Sequence, residues 1–150
     1  MPVGNFQVLD EAIEALANAQ LGDLDGVGIA AVLVGSGYTP NLATHATYSD
    51  ISANEISGGD YAQVAVTGAV LSDISGGVRF DTGDITWGNP VTIPACKYLA
   101  LVVGTAGSLG VGARVIGIQD LDTGGGTVES INAEFTVQAP TNGWFDITRQ

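Results

Sequence analysis

The chain has 150 residues, with 4 basic and 16 acidic side chains and a formal net charge of −12 at pH 7. This length suits one domain, and 45% hydrophobic residues exclude a disordered acidic tail. The 22 glycines follow no Gly-X-Y period, which excludes a collagen-like chain. Four Lys and Arg residues are too few for the cationic footprint that nucleic acid or an anionic membrane requires. We therefore expect neither as a partner.

A helix is predicted near the N-terminus, over about residues 6–19. Apolar side chains recur there at spacings of three and four: Phe6, Leu9, Ile13 and Leu16. Asn5 is placed to cap the first turn, and Gly22 follows the expected end. The spacing predicts one apolar stripe that docks the helix on the rest of the domain.

From about residue 26 onward the pattern is typical of β-structure. Short apolar or alternating runs are separated by Gly, Pro and Asn: residues 27–34, 61–71, 78–80, 85–87, 91–93, 97–103, 114–120 and 131–138. In the last run, Ile131, Ala133, Phe135 and Val137 are expected on one face of the strand. The predicted fold is mainly β, a sandwich or flattened barrel of about 7–8 strands with one N-terminal helix.

No cofactor or metal site is predicted. Cys96 is the only cysteine, and with His45 as the only histidine it cannot complete a zinc cluster. We expect Cys96 to be a small buried hydrophobe and His45 to lie at the surface. No apolar run reaches the ~20 residues of a membrane-spanning helix, and no secretory signal is expected at the N-terminus.

Two Asp-Thr-Gly segments, at residues 81–83 and 122–124, suggest the carboxylate pair of an aspartic peptidase. The second copy follows no strand, and Asp-Thr-Gly is also common turn chemistry. We therefore expect turns and no catalytic residues. A peptidase that uses Asp81, with two chains supplying the pair, is the competing enzyme hypothesis.

The order of several segments resembles a known family. These segments are residues 37–41 (GYTPN), 48–51 (YSDI), 53–58 (ANEISG), 84–87 (DITW) and 142–145 (NGWF). Together they resemble a family of small structural proteins encoded in the virion-morphogenesis regions of tailed double-stranded DNA phages. The resemblance covers nearly the whole chain, and residues 38–41 followed by 49–56 are its most specific part. Residues 104–112 are more glycine-rich than the family pattern.

The resemblance implies a virion protein on the capsid surface, assembled in the host cytoplasm. The more specific expectation is a capsid decoration or cement protein, a homotrimer that contacts the major capsid protein from outside. The charge of −12 suits an outer surface and opposes contact with DNA. The alternative is a tail, tail-tip or fibre-associated protein that binds host glycans through Trp87, Trp144 and Tyr38.

Three segments are expected to contact neighbouring subunits, because each is long or terminal: residues 1–6, 35–57 and 104–112. Apolar residues within these segments are the predicted interface anchors: Phe6, Tyr38, Leu42, Tyr48 and Ile51. For the four in residues 35–57, the alternative is that they pin this segment to the domain's own core.

Overall fold

The computed structural model describes residues 3–149 and contains 42% strand and 10% helix. Ten strands form three antiparallel sheets, so the predicted mainly-β, sandwich-like fold with one N-terminal helix is confirmed. The helix is α1 (Asp10–Ala17). The strands are β1 (Phe6–Val8), β2 (Ile29–Val34), β3 (Val64–Ala65), β4 (Val70–Ile74), β5 (Gly77–Asp81), β6 (Ile85–Cys96), β7 (Tyr98–Val103), β8 (Val115–Asp120), β9 (Val128–Val137) and β10 (Phe145–Thr148).

The central sheet has five strands in the order β1-β8-β7-β2-β3. All six residues of β2 are buried, as are residues 99–102 of β7 and 115–119 of β8. These continuous apolar runs form strands because their side chains are covered on both faces of the sheet. The strands predicted over 27–34, 97–103 and 114–120 are therefore present, with slightly shorter ends.

A long segment, residues 35–63, connects β2 to β3. It leaves β2 and reaches the outer edge of β8, where Val115 N–H donates to Ala46 O (3.0 Å). It then returns to the outer edge of β2, where Ile56 N–H donates to Leu33 O (3.1 Å). The segment therefore passes across β7 twice and covers that part of the sheet.

The predicted helix boundaries were wrong. Residues 6–8 form strand β1, in which Phe6 pairs with Gln119 of β8, and the helix begins only at Asp10. Leu9, not Asn5, occupies the N-cap position. The stripe was also wrong at Ile13, which is 56% exposed, whereas Ala12 and Ala15 are buried. The edge of β8 offers hydrogen-bond partners that residues 6–8 can reach only as a strand. The buried face of the helix consists of Ala12 and Ala15 because their small side chains allow the helix to approach the domain closely.

The predicted alternation in β9 was also wrong. Phe135 and Val137 are buried, but Ile131 is 73% exposed and Ala133 is exposed too. Val91 pairs with Ala133 while Ile93 pairs with Ser130, so β9 carries one extra residue at this point. Such a bulge reverses the inside-outside pattern. The periodicity of the sequence does not reveal it.

Two smaller sheets complete the fold: β6 with β9, and β10-β5-β4. The runs predicted at 85–87 and 91–93 belong to one strand, β6, and the run at 61–71 divides between β3 and β4. The three-stranded sheet joins the N-terminal segment through aromatic contacts. Phe6 meets the edge of Trp144 (5.2 Å between ring centres), and Phe145 packs on Phe80 (5.3 Å).

Candidate functional site

The structure brings two of the three predicted contact segments together. Ser49 N–H donates to Val111 O (3.0 Å), and Tyr48 N–H donates to Ala113 O (2.8 Å). Gln63 Oε1 accepts from Gly107 N–H (2.9 Å). Residues 42–63 and 104–113 thus form one continuous surface, called the loop face below. Residues 3–6 of the third segment lie elsewhere, because Gly4 N–H donates to Asp120 O (2.8 Å) at the far end of β8, and residues 1 and 2 lie outside the described residues.

A carboxylate, Glu55, holds the loop face together. It accepts hydrogen bonds from the Tyr48 hydroxyl, from the Tyr61 hydroxyl (2.7 Å) and from Gln63 Nε2 (3.0 and 3.1 Å). The Tyr61 oxygen also accepts from the buried Leu33 N–H of β2 (3.1 Å). We call Tyr48, Glu55, Tyr61 and Gln63 the Glu55 clamp. It ties both loops to the central sheet.

The two phenols of the clamp remain protonated at neutral pH. Burial, and next the hydrogen bond to Glu55, raise the pKa of Tyr48 to about 12. The same two causes, burial first, raise the pKa of Tyr61 well above its usual value. Both hydroxyls therefore donate to the carboxylate, and hydrogen bonds to a charged acceptor are stronger than neutral ones.

A second contact fixes residues 38–45. The Tyr38 hydroxyl lies 2.6 Å from His45 Nδ1, and its ring meets the edge of Tyr98 at 5.8 Å between ring centres. Burial raises the pKa of Tyr38 to about 12, so the phenol stays protonated at neutral pH. His45 is half-buried. The prediction of a surface histidine therefore missed its packing.

The predicted interface anchors divide into two groups. Ile51 and Tyr38 are 0% and 3% exposed and belong to the chain's own core. Phe6, Leu42 and Tyr48 are half-buried and pack against that core. The burial of Tyr38 and Ile51 matches the alternative, in which such residues pin the segment to the domain.

Val111 is the exposed apolar residue that the sequence reasoning missed. It is 74% exposed on the loop face, beside Ser49. The available signal was a valine placed between Gly110 and Gly112, two residues that have no side chain to cover it.

The three aromatic residues considered for glycan binding do not form a shared stacking surface. Tyr38 and Trp144 are 3% and 4% exposed. The indole N–H of Trp144 donates to Thr82 Oγ1 (2.8 Å) inside the domain. Trp87 is half-buried, with its N–H on Ala62 O (3.1 Å) and its ring against the edge of Phe135. Sugar stacking needs an exposed ring face, which Tyr38 and Trp144 lack.

The second Asp-Thr-Gly segment forms the predicted turn, whereas the first is the end of β5 and the short connection to β6. Asp81 Oδ1 accepts from Thr82 N–H (2.8 Å), and Asp122 Oδ1 accepts from Gly124 N–H (2.9 Å). Each carboxylate is thus bonded to the backbone of its own segment. Cys96 is completely buried, as predicted, and burial raises its pKa to about 12.

Metal ligands do not cluster in the part of the chain that the structure describes: no group of three His, Cys, Asp or Glu side chains within residues 3–149 could hold an ion. None of the helices in the same range is long and apolar enough to cross a membrane. No protein-family model, curated protein or solved structure significantly matches this chain. The loop face is therefore interpreted from its geometry and from the sequence resemblance.

Proposed function

We propose that this protein is a non-catalytic structural component of a tailed-phage virion, a decoration protein that binds the outside of the head. The observation that carries the proposal is the loop face, in which two long surface loops are locked to each other and to the central sheet. Its partners in this proposal are the major capsid protein and further copies of the chain, arranged as a homotrimer.

The internal bonding of the loop face supports a docking role. Loops that are already ordered lose little conformational entropy on binding, so more of the contact energy remains as affinity. The Glu55 clamp supplies this order. Val111 is 74% exposed and offers an apolar side chain for contact with a partner. A neighbouring subunit that covers Val111 would gain the free energy of burying it.

The charge of the chain supports an external position. A net charge of −12 repels packaged DNA, whereas the outside of a shell does not require contact with the genome. The sequence resemblance points to the same class of virion proteins.

The proposal is tested by the position and copy number of the protein on the particle. Quantitative mass spectrometry of purified virions should find it at a number comparable to that of the shell subunit. Particles without it should assemble but open at a lower temperature, and adding the purified protein should restore the wild-type temperature. A copy number typical of tail parts, or normal heads with defective tails, would contradict head decoration and favour the tail alternative.

Val111→Glu is the sharpest variant for the add-back experiment. It should fold normally but bind heads weakly, because a charge replaces the exposed apolar contact. Ile147→Glu is the control, since Ile147 is also exposed (45%) but lies on β10, which pairs with β5 in a separate sheet. Equal binding by the two variants would exclude Val111 from the interface.

A further inference from the structure

A large open groove lies between β9 and β10, beside residues 3–6. Its volume is about 1160 Å³, and four aromatic residues contribute to its lining: Phe6, Phe135, Trp144 and Phe145. Pockets for small molecules usually measure ~300–1,000 Å³ and enclose the ligand. This groove is larger and open, so it suits a segment of polypeptide better than a small molecule.

Two strands that each have an unpaired edge line this groove. Among the strands within residues 3–149, β9 pairs with β6 alone, and β10 is the outer strand of its sheet and pairs with β5 alone. An unpaired edge presents backbone N–H and C=O groups that can bind a further strand. The bulge at residues 130–133 interrupts the middle of β9, and residues 134–137 at its C-terminal end line the groove.

The charges along the groove are of one sign. Four carboxylates line it, Asp84, Glu129, Glu134 and Asp146, of which Asp146 is paired with Arg79 at 2.7 Å. Within the described part of the chain, none of the lining residues is Lys, Arg or His. The groove is therefore electrostatically complementary to a basic ligand.

A buried amide lies in the wall of the groove beside residues 3–6. Gln119 is 4% exposed and lines the groove, and its Nε2 donates to Gly4 O (3.0 Å). Its Oε1 is buried without a hydrogen-bond partner among residues 3–149. The amide therefore fastens residues 3–6 to β8 along one side of the groove.

We propose that this groove binds an extended segment of a partner protein that carries Lys or Arg side chains, by strand addition to residues 134–137 of β9. Backbone pairing would supply affinity, and the carboxylates would select basic side chains. A second copy of this chain is a poor occupant, because two of its four basic residues, Arg79 and Lys97, are already in ion pairs. This inference goes beyond the proposed function and does not depend on it.

Nuclear magnetic resonance of the full-length protein with synthetic peptides tests the proposal. The probe is a capped heptapeptide that alternates lysine and valine. One control peptide has glutamate in place of lysine, and another carries N-methyl groups on alternate backbone nitrogens and so cannot pair as a strand. We expect the lysine peptide to shift the backbone amide signals of residues 134–137 and to protect them from hydrogen exchange. The two control peptides should bind at least about tenfold more weakly.

Charge reversal at the groove checks the electrostatic part of the proposal. Glu134→Lys should weaken binding of the lysine peptide about fivefold at low ionic strength, and the difference should shrink in high salt. Glu14→Lys makes the same charge change at an exposed position of α1 and should leave the affinity unchanged. Any of four results would overturn the proposal. Two concern the controls: equal weakening by both variants, or equal binding of the N-methylated peptide. The other two are signal shifts away from β9 and no binding at millimolar peptide. Because no capsid is present, these outcomes do not depend on whether the loop face decorates a head.

Discussion

Replacing Tyr61 with phenylalanine should destabilise the fold, because one hydroxyl serves two partners in the Glu55 clamp. It accepts from Leu33 N–H (3.1 Å) and donates to Glu55 Oε1 (2.7 Å). Leu33 is 0% exposed, so its N–H would lose its partner in a site that water does not reach. An unpaired buried donor costs ~1–3 kcal/mol, and losing a hydrogen bond to a half-buried carboxylate adds about 1 kcal/mol. We therefore expect Tyr61→Phe to lower the free energy of unfolding by about 2–4 kcal/mol.

Urea denaturation followed by tryptophan fluorescence measures this loss. Thermal unfolding measures the same loss. In a domain of this size, a loss of 1 kcal/mol lowers the melting temperature by roughly 2–4 °C, so we expect the melting temperature to fall by roughly 4–16 °C. Tyr98→Phe is the matched control, because the Tyr98 hydroxyl makes no hydrogen bond within residues 3–149 while its ring packs on Tyr38. The control should change the unfolding free energy by less than about 0.5 kcal/mol. Equal effects of the two substitutions would refute the assignment of the Tyr61 hydroxyl as a structural hydrogen-bond hub.

Three further predictions follow from burial and ionisation. The pKa of Tyr48 is raised from 10.0 in the unfolded chain to about 12 in the fold. The contribution of this residue to the free energy of unfolding is therefore complete below pH 10 and is lost as the pH rises to 12. Urea midpoints should fall over that interval, and less steeply in Tyr48→Phe. Cys96 is 0% exposed, so its reaction with a thiol reagent should be limited by opening of the fold and should accelerate with urea; rapid labelling of the native protein would contradict this. On α1, Ile13→Lys should alter stability by less than about 0.5 kcal/mol, whereas Ala15→Leu should cost about 1–3 kcal/mol by overpacking; urea titrations of both variants distinguish this arrangement from the predicted stripe.

The sequence predicts best those strands that are buried on both faces of the sheet. The runs that became β2, β7 and β8 are mostly apolar, and central strands of the sheet are covered on both faces. Hydrophobic composition is enough to identify such strands. Which strands neighbour one another depends on pairings between distant parts of the chain, such as Leu33 with Leu99 and Leu99 with Gln119, and local patterns do not determine them.

The failures occur where tertiary contacts override local periodicity. Phe6 and Leu9 fit a helical spacing, but Phe6 lies in β1 because the edge of β8 offers it a hydrogen-bonding partner. Ile131 fits the alternation of a strand, but the extra residue between Ser130 and Ala133 turns it outward. Neither the free edge nor the bulge leaves a signal in the residues that it rearranges.

The loop face was predicted only in outline. Length and composition identified residues 35–57 and 104–112 as exposed segments, and the structure joins them. The Glu55 clamp was not predicted, because Tyr48, Tyr61 and Gln63 are ordinary polar residues until the fold brings them to one carboxylate. Glu55 itself lies in the segment that carries the family resemblance, but its sequence context does not reveal which hydroxyls it will bind.

The Glu55 clamp and the groove should act independently, because the strands that carry them are two positions apart in the central sheet. Gln119 in the wall of the groove lies on β8, and Leu33 below the clamp lies on β2, with β7 between them. Two strand spacings amount to about 10 Å, and perturbations at such separations usually add within about 0.5 kcal/mol. Tyr61→Phe should therefore leave the affinity for the lysine peptide unchanged while the protein is folded, and the double variant with Glu134→Lys should unfold with the sum of the two single effects. A larger coupling would show that the two surfaces respond to each other, in which case binding at the loop face and strand capture in the groove would compete or cooperate.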